Sequence, residues 1–298
     1  MDFLNFLVQF RNPVTESIAQ VITYFGQEFI IIGIICWLYW CQNKRLAYTL
    51  GFTYFISGLL AQGLKITFRI PRPWILDPNF QAVPSALPAA TGYSFPSGHT
   101  QSATALYGTL GLACKRTGWK ILCFSMLFMV GFSRMFLGCH TPKDVCTAWI
   151  LTIIITIVVY KVWAKIDQNH SKDLLIGIAL AVIVCALWSY AYILYRSNTL
   201  TYKYAADCCK ACGAGLGFAI GFYCERRYVN FSTDGTLTHR ILRIVLGLVG
   251  ALVLELGLKY LCPQLLILDA LRYCLIILWI LLFFPMIFQR YEKQKISA

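Results

Sequence analysis

An all-α, polytopic transmembrane helix bundle is the fold class this sequence predicts, and three observations predict it. Hydrophobic residues make up 58% of the 298, charged residues only 13%, and the mean hydropathy is +0.64, whereas an ordinary soluble domain is roughly 25% charged. Apolar runs of about twenty residues, enough to cross a ~30 Å hydrocarbon core, recur along nearly the whole chain. These runs lack the two-residue alternation of strands, and a backbone in lipid must satisfy its own polar groups, so they are read as helices.

Taken in order, the first seventeen residues, MDFLNFLVQFRNPVTES, carry one basic residue after an apolar stretch too short to span. They are expected to lie as a short interfacial helix ahead of Pro13, and not to form a cleavable signal. Spans are expected at 18–40, 46–64, 100–114, 119–138, 144–164, 173–195, 205–224, 241–260 and 268–288, about nine in all. An odd number puts the termini on opposite sides. One long connection, 65–99, is rich in proline and small residues, and loops of that length are usually functional or disordered. Its Trp74, Phe80 and Tyr93 suggest a stiff aromatic cover at the membrane interface that shapes a substrate entrance.

Basic residues accumulate in cytoplasmic loops. Of the 26 Lys and Arg, fifteen fall on the side opposite the N-terminus and eleven on its own side. The reading is therefore N-terminus outside, C-terminus cytoplasmic and loop 65–99 extracytoplasmic. The net charge of +13 is then mostly membrane topology, and nucleic acid is not an expected partner.

The thirteen cysteines lie mostly within apolar runs, where cysteine behaves as a small hydrophobe. Cys208, Cys209 and Cys212 have no His or second Cys pair beside them, so they are read as helix packing and not as metal ligands. Gly213, Gly217 and Gly221 space a small face along the seventh span, a pattern for close helix approach. Glu255 with Lys259, and Asp269 with Arg272, are expected as local ion pairs. His170 and His239 are read as ordinary polar residues.

Three polar segments fall at helix ends on one side. They read Lys65-Ile-Thr-Phe-Arg-Ile-Pro-Arg72-Pro73, then Pro96-Ser97-Gly98-His99, then Ser133-Arg134-Met-Phe-Leu-Gly-Cys-His140-Thr-Pro-Lys-Asp144. Lys65, Arg72 and Arg134 supply three cations, and an Arg fork matches phosphate oxygens. Ser97 and Gly98 open the third span, so free backbone N–H groups and the helix dipole point where the cations would hold an anion. Such a clamp suits phosphoryl transfer, which is mostly positioning and charge stabilisation. His140 with Asp144 four residues on is a nucleophile beside the carboxylate that fixes its tautomer. His99, on another helix end, is the general-acid candidate. Blander roles stand beside these: Asp144 as a capping acid after Thr141-Pro142, Ser97 as an N-cap, and Arg69 as a solvated cation.

The three segments resemble the motifs K-x6-RP, PSGH and SR-x5-H-x3-D of the phosphatidic acid phosphatase type 2 superfamily, in order and without departure, over Lys65 to Asp144. The resemblance implies a phosphoenzyme on His140, protonation of the leaving group by His99, Ser133 beside Arg134 among the phosphate-binding residues, and no metal or other cofactor. No acidic pair suited to Mg²⁺ stands among these segments.

The whole chain, 1–298, is thus read as one integral membrane domain. Within it 46–164 holds the catalytic helices and 173–290 further helices of unassigned role. The expected activity is metal-independent hydrolysis of a lipid phosphomonoester or diphosphate at the extracytoplasmic face, in a bacterial plasma membrane. A phosphorylated lipid and membrane lipids are the expected partners, and a homo-oligomer is allowed. One alternative is a soluble sugar phosphate substrate, since the topology also resembles glucose-6-phosphatase. A lipid phosphotransferase would share the phosphohistidine but pass the group to an acceptor other than water. A transporter would need polar groups at the midplane or broken helices, which the sequence offers weakly.

Overall fold

A computed structural model describes residues 1–261 and 263–297, with 292–297 described in their backbone alone. Among the described residues every regular element is helical. In order they are α1 Asp2–Val8, α2 Pro13–Tyr24, α3 Glu28–Trp37, α4 Lys44–Phe68, α5 Pro73–Leu76, α6 Gly98–Ala113, α7 Thr117–Phe136, α8 Pro142–Ile166, α9 Asp173–Arg196, α10 Tyr202–Cys224, α11 Leu237–Leu261, α12 Leu266–Leu278 and α13 Phe284–Ser297. Single π-turns stand at Leu38–Gln42, Glu225–Val229 and Trp279–Phe283. The chain forms two compact units, Met1–Ile32 with Thr49–Val162 and Gly33–Tyr48 with Trp163–Ala298.

Six helical stretches among the described residues are long and apolar enough to cross a membrane: Pro13–Gln42, Thr117–Phe136, Pro142–Ile166, His170–Arg196, Leu237–Leu261 and Leu266–Tyr291. The other three expected spans are helices, but they fall short of that standard. Helix α6 has 16 residues, and buries Thr100, Gln101, Ser102, Thr104 and Thr109. Helix α4 carries Thr49, Thr53 and Ser57 inward. Helix α10 is rich in Gly, Ala and Cys in place of long aliphatic side chains. The expected span 18–40 is interrupted at residues 25–27, between α2 and α3.

The first unit begins with the expected short helix. Leu4 and Leu7 of α1 are buried with Phe80, Val83, Ala86 and Ala90 of the long loop and Met135, Phe136 and Leu137 at the end of α7. Phe3 and Phe6 face outward, 42% and 52% exposed. Asn12 then caps α2 in a capping box with Thr15, and Pro13 takes the first helical position. Segment 65–99 has elements of its own, α5 and a 3₁₀ turn at Pro84–Ala86. Phe80 does not form an aromatic cover: at 4% exposure it is core, because α1 lies over it. Phe68, Ile75, Leu76 and Leu87, exposed at 57%, 60%, 50% and 40%, are the large apolar residues this segment presents outward.

In the second unit α10 lies against α9 and α12. A Cβ added at Gly213 would stand 1.9 Å from the Ala270 carbonyl oxygen, one at Gly217 2.5 Å from that of Cys274, and one at Gly221 2.8 Å from Leu281 Cβ. The small-residue face expected from sequence is therefore the contact, with backbone against backbone. Cys208, Cys209 and Cys212 are buried on the same helix, and Arg272 pairs with Asp269 at 3.0 Å. Gly213→Ala is expected to lower stability by about 1–3 kcal/mol or more, read as earlier thermal unfolding in detergent. Gly257→Ala, whose added carbon meets nothing within 4 Å, should stay within ~0.5 kcal/mol of the parent.

Candidate active site

All three motifs lie in the first unit, and local chain chemistry explains how each presents its side chains. Lys65 is on the last turn of α4. The helix stops because Arg69 turns left-handed, φ 50°, with its N–H bonded to the Lys65 carbonyl at 2.9 Å and its Nη1 donating to the Ile66 carbonyl at 3.2 Å. Arg69 is thus a C-terminal cap. Beyond that turn Arg72 points inward, 6% exposed.

The third motif is built on a Schellman turn. At the end of α7 the Cys139 N–H bonds the Arg134 carbonyl and the Gly138 N–H bonds the Met135 carbonyl, both at 3.0 Å. Gly138 takes φ +78°, and a Cβ there would meet Arg11 and Phe80 at 2.9 Å, so the glycine inside SR-x5-H is required twice over. His140 follows directly. Helix α8 then starts with Pro142 at its first position and the Asp144 Oδ2 accepting the Thr141 N–H at 2.8 Å, so the capping role of Asp144 is real. In the second motif Ser97 caps α6, its Oγ accepting from the Thr100 N–H at 3.4 Å and the Thr100 hydroxyl at 2.8 Å. The Ser97 N–H also bonds the Asp144 carbonyl at 3.1 Å, which ties the starts of α6 and α8 together.

These turns bring the expected residues to one place. Arg72 Nη1 stands 2.8 Å from His140 Nε2. A guanidinium can only donate, so Nε2 is the acceptor and the ring proton sits on Nδ1. That Nδ1 faces the Asp144 Oδ2 at 3.6 Å, beyond hydrogen-bond range, and is buried without a partner. Burial first, then the charges of Arg72, Arg134 and Lys65 and the imidazole of His99, push His140 well below the ordinary histidine range. All five groups are therefore within electrostatic reach of one another's site.

Arg134 is fully buried. Its Nη1 donates to the Thr23 hydroxyl at 3.0 Å, while Nε and Nη2 have no partner. The His99 Nε2 is also buried and unpartnered. Lys65 Nζ donates to the Tyr93 carbonyl at 3.0 Å, and Arg72 donates to the Gly92 carbonyl at 2.8 Å and the Cys139 carbonyl at 3.0 Å. A Cβ added at Gly98 would meet nothing within 4 Å, so open space fronts the start of α6. Ser133 departs from this convergence: its hydroxyl bonds back to the Val130 carbonyl at 2.7 Å inside α7. Among the described residues no group of three His, Cys, Asp or Glu side chains is placed to hold a metal ion.

Several participants carried no sequence signal. Thr23 lies 111 residues from Arg134. Arg11 binds the Phe136 and Gln81 carbonyls, both at 2.8 Å, and so ties α7 to the long loop. Ser94 donates to the Asp144 Oδ2 at 2.6 Å, and only its place two residues before the PSGH turn could have drawn attention to it.

Known proteins resemble this chain over much of its length. The profile of the PAP2 superfamily matches residues 46–168, and that of the PAP2 superfamily phosphatase, transmembrane extension, matches 209–295. Undecaprenyl-diphosphatase BcrC of Bacillus subtilis is 31% identical over 148 residues, 49% of this chain and 73% of that protein. Sphingosine-1-phosphate phosphatase 2 of Homo sapiens is 26% identical over 220 residues, 72% of this chain; the match spans about half, 53%, of the human protein. The crystal structure of Aquifex aeolicus LpxE aligns at a TM-score of 0.47 and 23% identity, covering 54% of this chain and 93% of that one. Matched by the PAP2 profile, and 31% identical to a relative over 73% of the relative's length, the chain belongs to the PAP2 superfamily of membrane phosphatases, hydrolases of phosphoric esters.

Proposed function

We propose that the chain hydrolyses a lipid phosphomonoester or diphosphate through a phosphohistidine on His140. One observation carries this reading. Three buried nitrogens, Arg134 Nε, Arg134 Nη2 and His99 Nε2, have no partner, in a site where the helix start at Gly98 is open. Buried polar groups are almost always satisfied, so orphans of this kind mark where a ligand belongs. The names of the relatives, an undecaprenyl-diphosphatase and a sphingosine-1-phosphate phosphatase, favour a phosphate on a hydrocarbon chain over a soluble sugar phosphate.

In this mechanism the phosphoryl group enters between Arg72, Arg134, Lys65 and the N-terminus of α6, with Ser97 and Gly98 beside it. Its oxygens take over donors that Arg72 directs at His140 Nε2, freeing that lone pair. Nε2 attacks phosphorus, the ester P–O bond breaks, and His99 gives the leaving oxygen a proton. Water then attacks phosphorus, the P–N bond breaks, His99 takes the proton, and phosphate leaves. The Asp144 carboxylate stabilises the positive imidazole meanwhile. The nine-span topology with N-terminus outside, the extracytoplasmic placement of the site, and the division into catalytic helices 46–164 and further helices 173–290 belong to the same proposal, supported by the bias of basic residues.

Phosphate release should be seen in detergent with chelator present from a polyprenyl diphosphate or a sphingoid base phosphate, and not from glucose 6-phosphate. Release from the sugar phosphate alone would reverse the substrate assignment. His140→Ala should abolish release and any acid-labile labelling of the protein by a ³²P substrate; labelling that survives in this variant would sink the phosphohistidine. For His99→Ala we expect a loss of about 10²–10⁴-fold on an alkyl phosphate, but little on p-nitrophenyl phosphate, whose leaving group needs no proton. An equal loss on both would remove His99 as the acid.

The pH profile gives a separate check. Burial and the neighbouring positive charges disfavour the imidazolium of His140, so its lone pair persists as pH falls past the ordinary histidine value of ~6.5. The acid limb of kcat/KM is therefore expected below that value, and a limb at or above it contradicts the assignment. An epitope inserted after Thr91 should be reached by antibody on intact cells; access only after permeabilisation would invert the topology.

A further inference from the structure

Three consecutive residues of the long loop each hold one residue of the motifs. The Gly92 carbonyl accepts from Arg72 Nε at 2.8 Å, the Tyr93 carbonyl from Lys65 Nζ at 3.0 Å, and the Ser94 hydroxyl donates to the Asp144 Oδ2 at 2.6 Å. Ser94 is fully buried, and its N–H bonds the Ile70 carbonyl at 2.9 Å. Its position is fixed at both ends.

The oxygen that Ser94 holds is the one facing His140. Oδ2 takes the Ser94 hydroxyl at 2.6 Å and the Thr141 N–H at 2.8 Å, which occupies its two lone pairs. The His140 Nδ1–H stands 3.6 Å away with no partner. Of the two donors, the Thr141 N–H is fixed by the start of α8, whereas the Ser94 hydroxyl is a rotor. We propose that Ser94 is a positioning residue: by holding Asp144 Oδ2 it keeps the carboxylate a step away from His140 Nδ1, so that the two close only as positive charge develops on the imidazole. The inference rests on the reading of His140 and Asp144 as the nucleophile pair.

Charged and titratable groups face His140 from every side: Lys65 of α4, Arg72 before α5, His99 of α6, Arg134 of α7 and Asp144 of α8. Only the last favours the protonated ring, and Ser94 limits it. Removing the hydroxyl lets Nδ1–H pair with Asp144 in the resting protein, which favours the imidazolium.

The chain has four histidines, so ¹⁵N-histidine NMR of the purified protein can follow His140 with no substrate present. In Ser94→Ala the His140 titration should move up by on the order of one pH unit, and the acid limb of kcat/KM should move with it, KM changing little. Ser94→Thr, which keeps the hydroxyl, should titrate like the parent. If the two variants behave alike, whether both shifted, both normal or both unfolded, the hydroxyl is not the cause and the proposal fails. A parent protein that releases no phosphate overturns the phosphatase reading instead, while the NMR comparison still decides the role of Ser94.

Discussion

A guanidinium taken out of water governs the first unit. Arg134 is fully buried, and moving such an ion from water costs several kcal/mol unless its donors are answered. One answer is protein: the Thr23 hydroxyl on α2, at 3.0 Å. Two donor positions are left over. The surrounding elements keep that arrangement from collapsing, with the Schellman turn fixing the carbonyl end of Arg134 and Arg11 fastening the turn to the long loop. Gly26 contributes by absence. A Cβ there would stand 2.9 Å from the His99 carbonyl and 2.7 Å from Val130, so the chain after α2 reaches the start of α6 only because that position is bare.

The same constraint explains why two of the helices around the site are poor membrane spans. Gln101 of α6 donates to Ser57 of α4 at 2.7 Å, while Thr53, Ser57 and Thr104 bond carbonyls of their own preceding turns. Polar side chains on a helix tolerate a bilayer when they face protein and find partners there. Helices α4 and α6 do so, and thereby supply a rigid wall from which Lys65 and His99 project. Helices α8 and α9, with only 22% and 17% of their most apolar windows buried, keep their aliphatic faces outward.

How much of this was legible in the sequence follows from where the signals lie. Helix ends carry short-range chemistry, and the motifs sit at helix ends: Pro142 with Asp144, Ser97 before Gly98, and Gly138 at a left-handed C-terminus. The convergence of Lys65, Arg72, His99, Arg134, His140 and Asp144 could therefore be anticipated. Hydropathy averages could not see the break at 25–27, where the N–H groups of Phe25, Gly26 and Gln27 bond carbonyls three residues back in place of the α-helical four. Three expected spans do not qualify by length and apolarity, because α6 has only 16 residues and α4 and α10 carry polar or small side chains in place of long aliphatic ones. Thr23, Arg11 and Ser94 belong to contacts far apart in sequence, and Phe80 was misjudged because nothing local announces that α1 lies over it.

Charge completes the account of the site. Lys65, Arg72 and Arg134 act together on His140, and Asp144 is the carboxylate beside it. Three cations against one carboxylate leave two positive charges, the complement of a phosphomonoester dianion, whose arrival offsets the cations and lets His99 hold the proton it donates. Lys65 and Arg72 hold neutral backbone carbonyls of residues 92, 93 and 139, and an anionic acceptor adds a charge–charge attraction that a neutral carbonyl lacks. A phosphate can therefore displace these partners, whereas a carboxylate in their place would compete on equal terms. The carbonyls hold the cations in position at little cost to binding, and the surplus charge is left for the ligand.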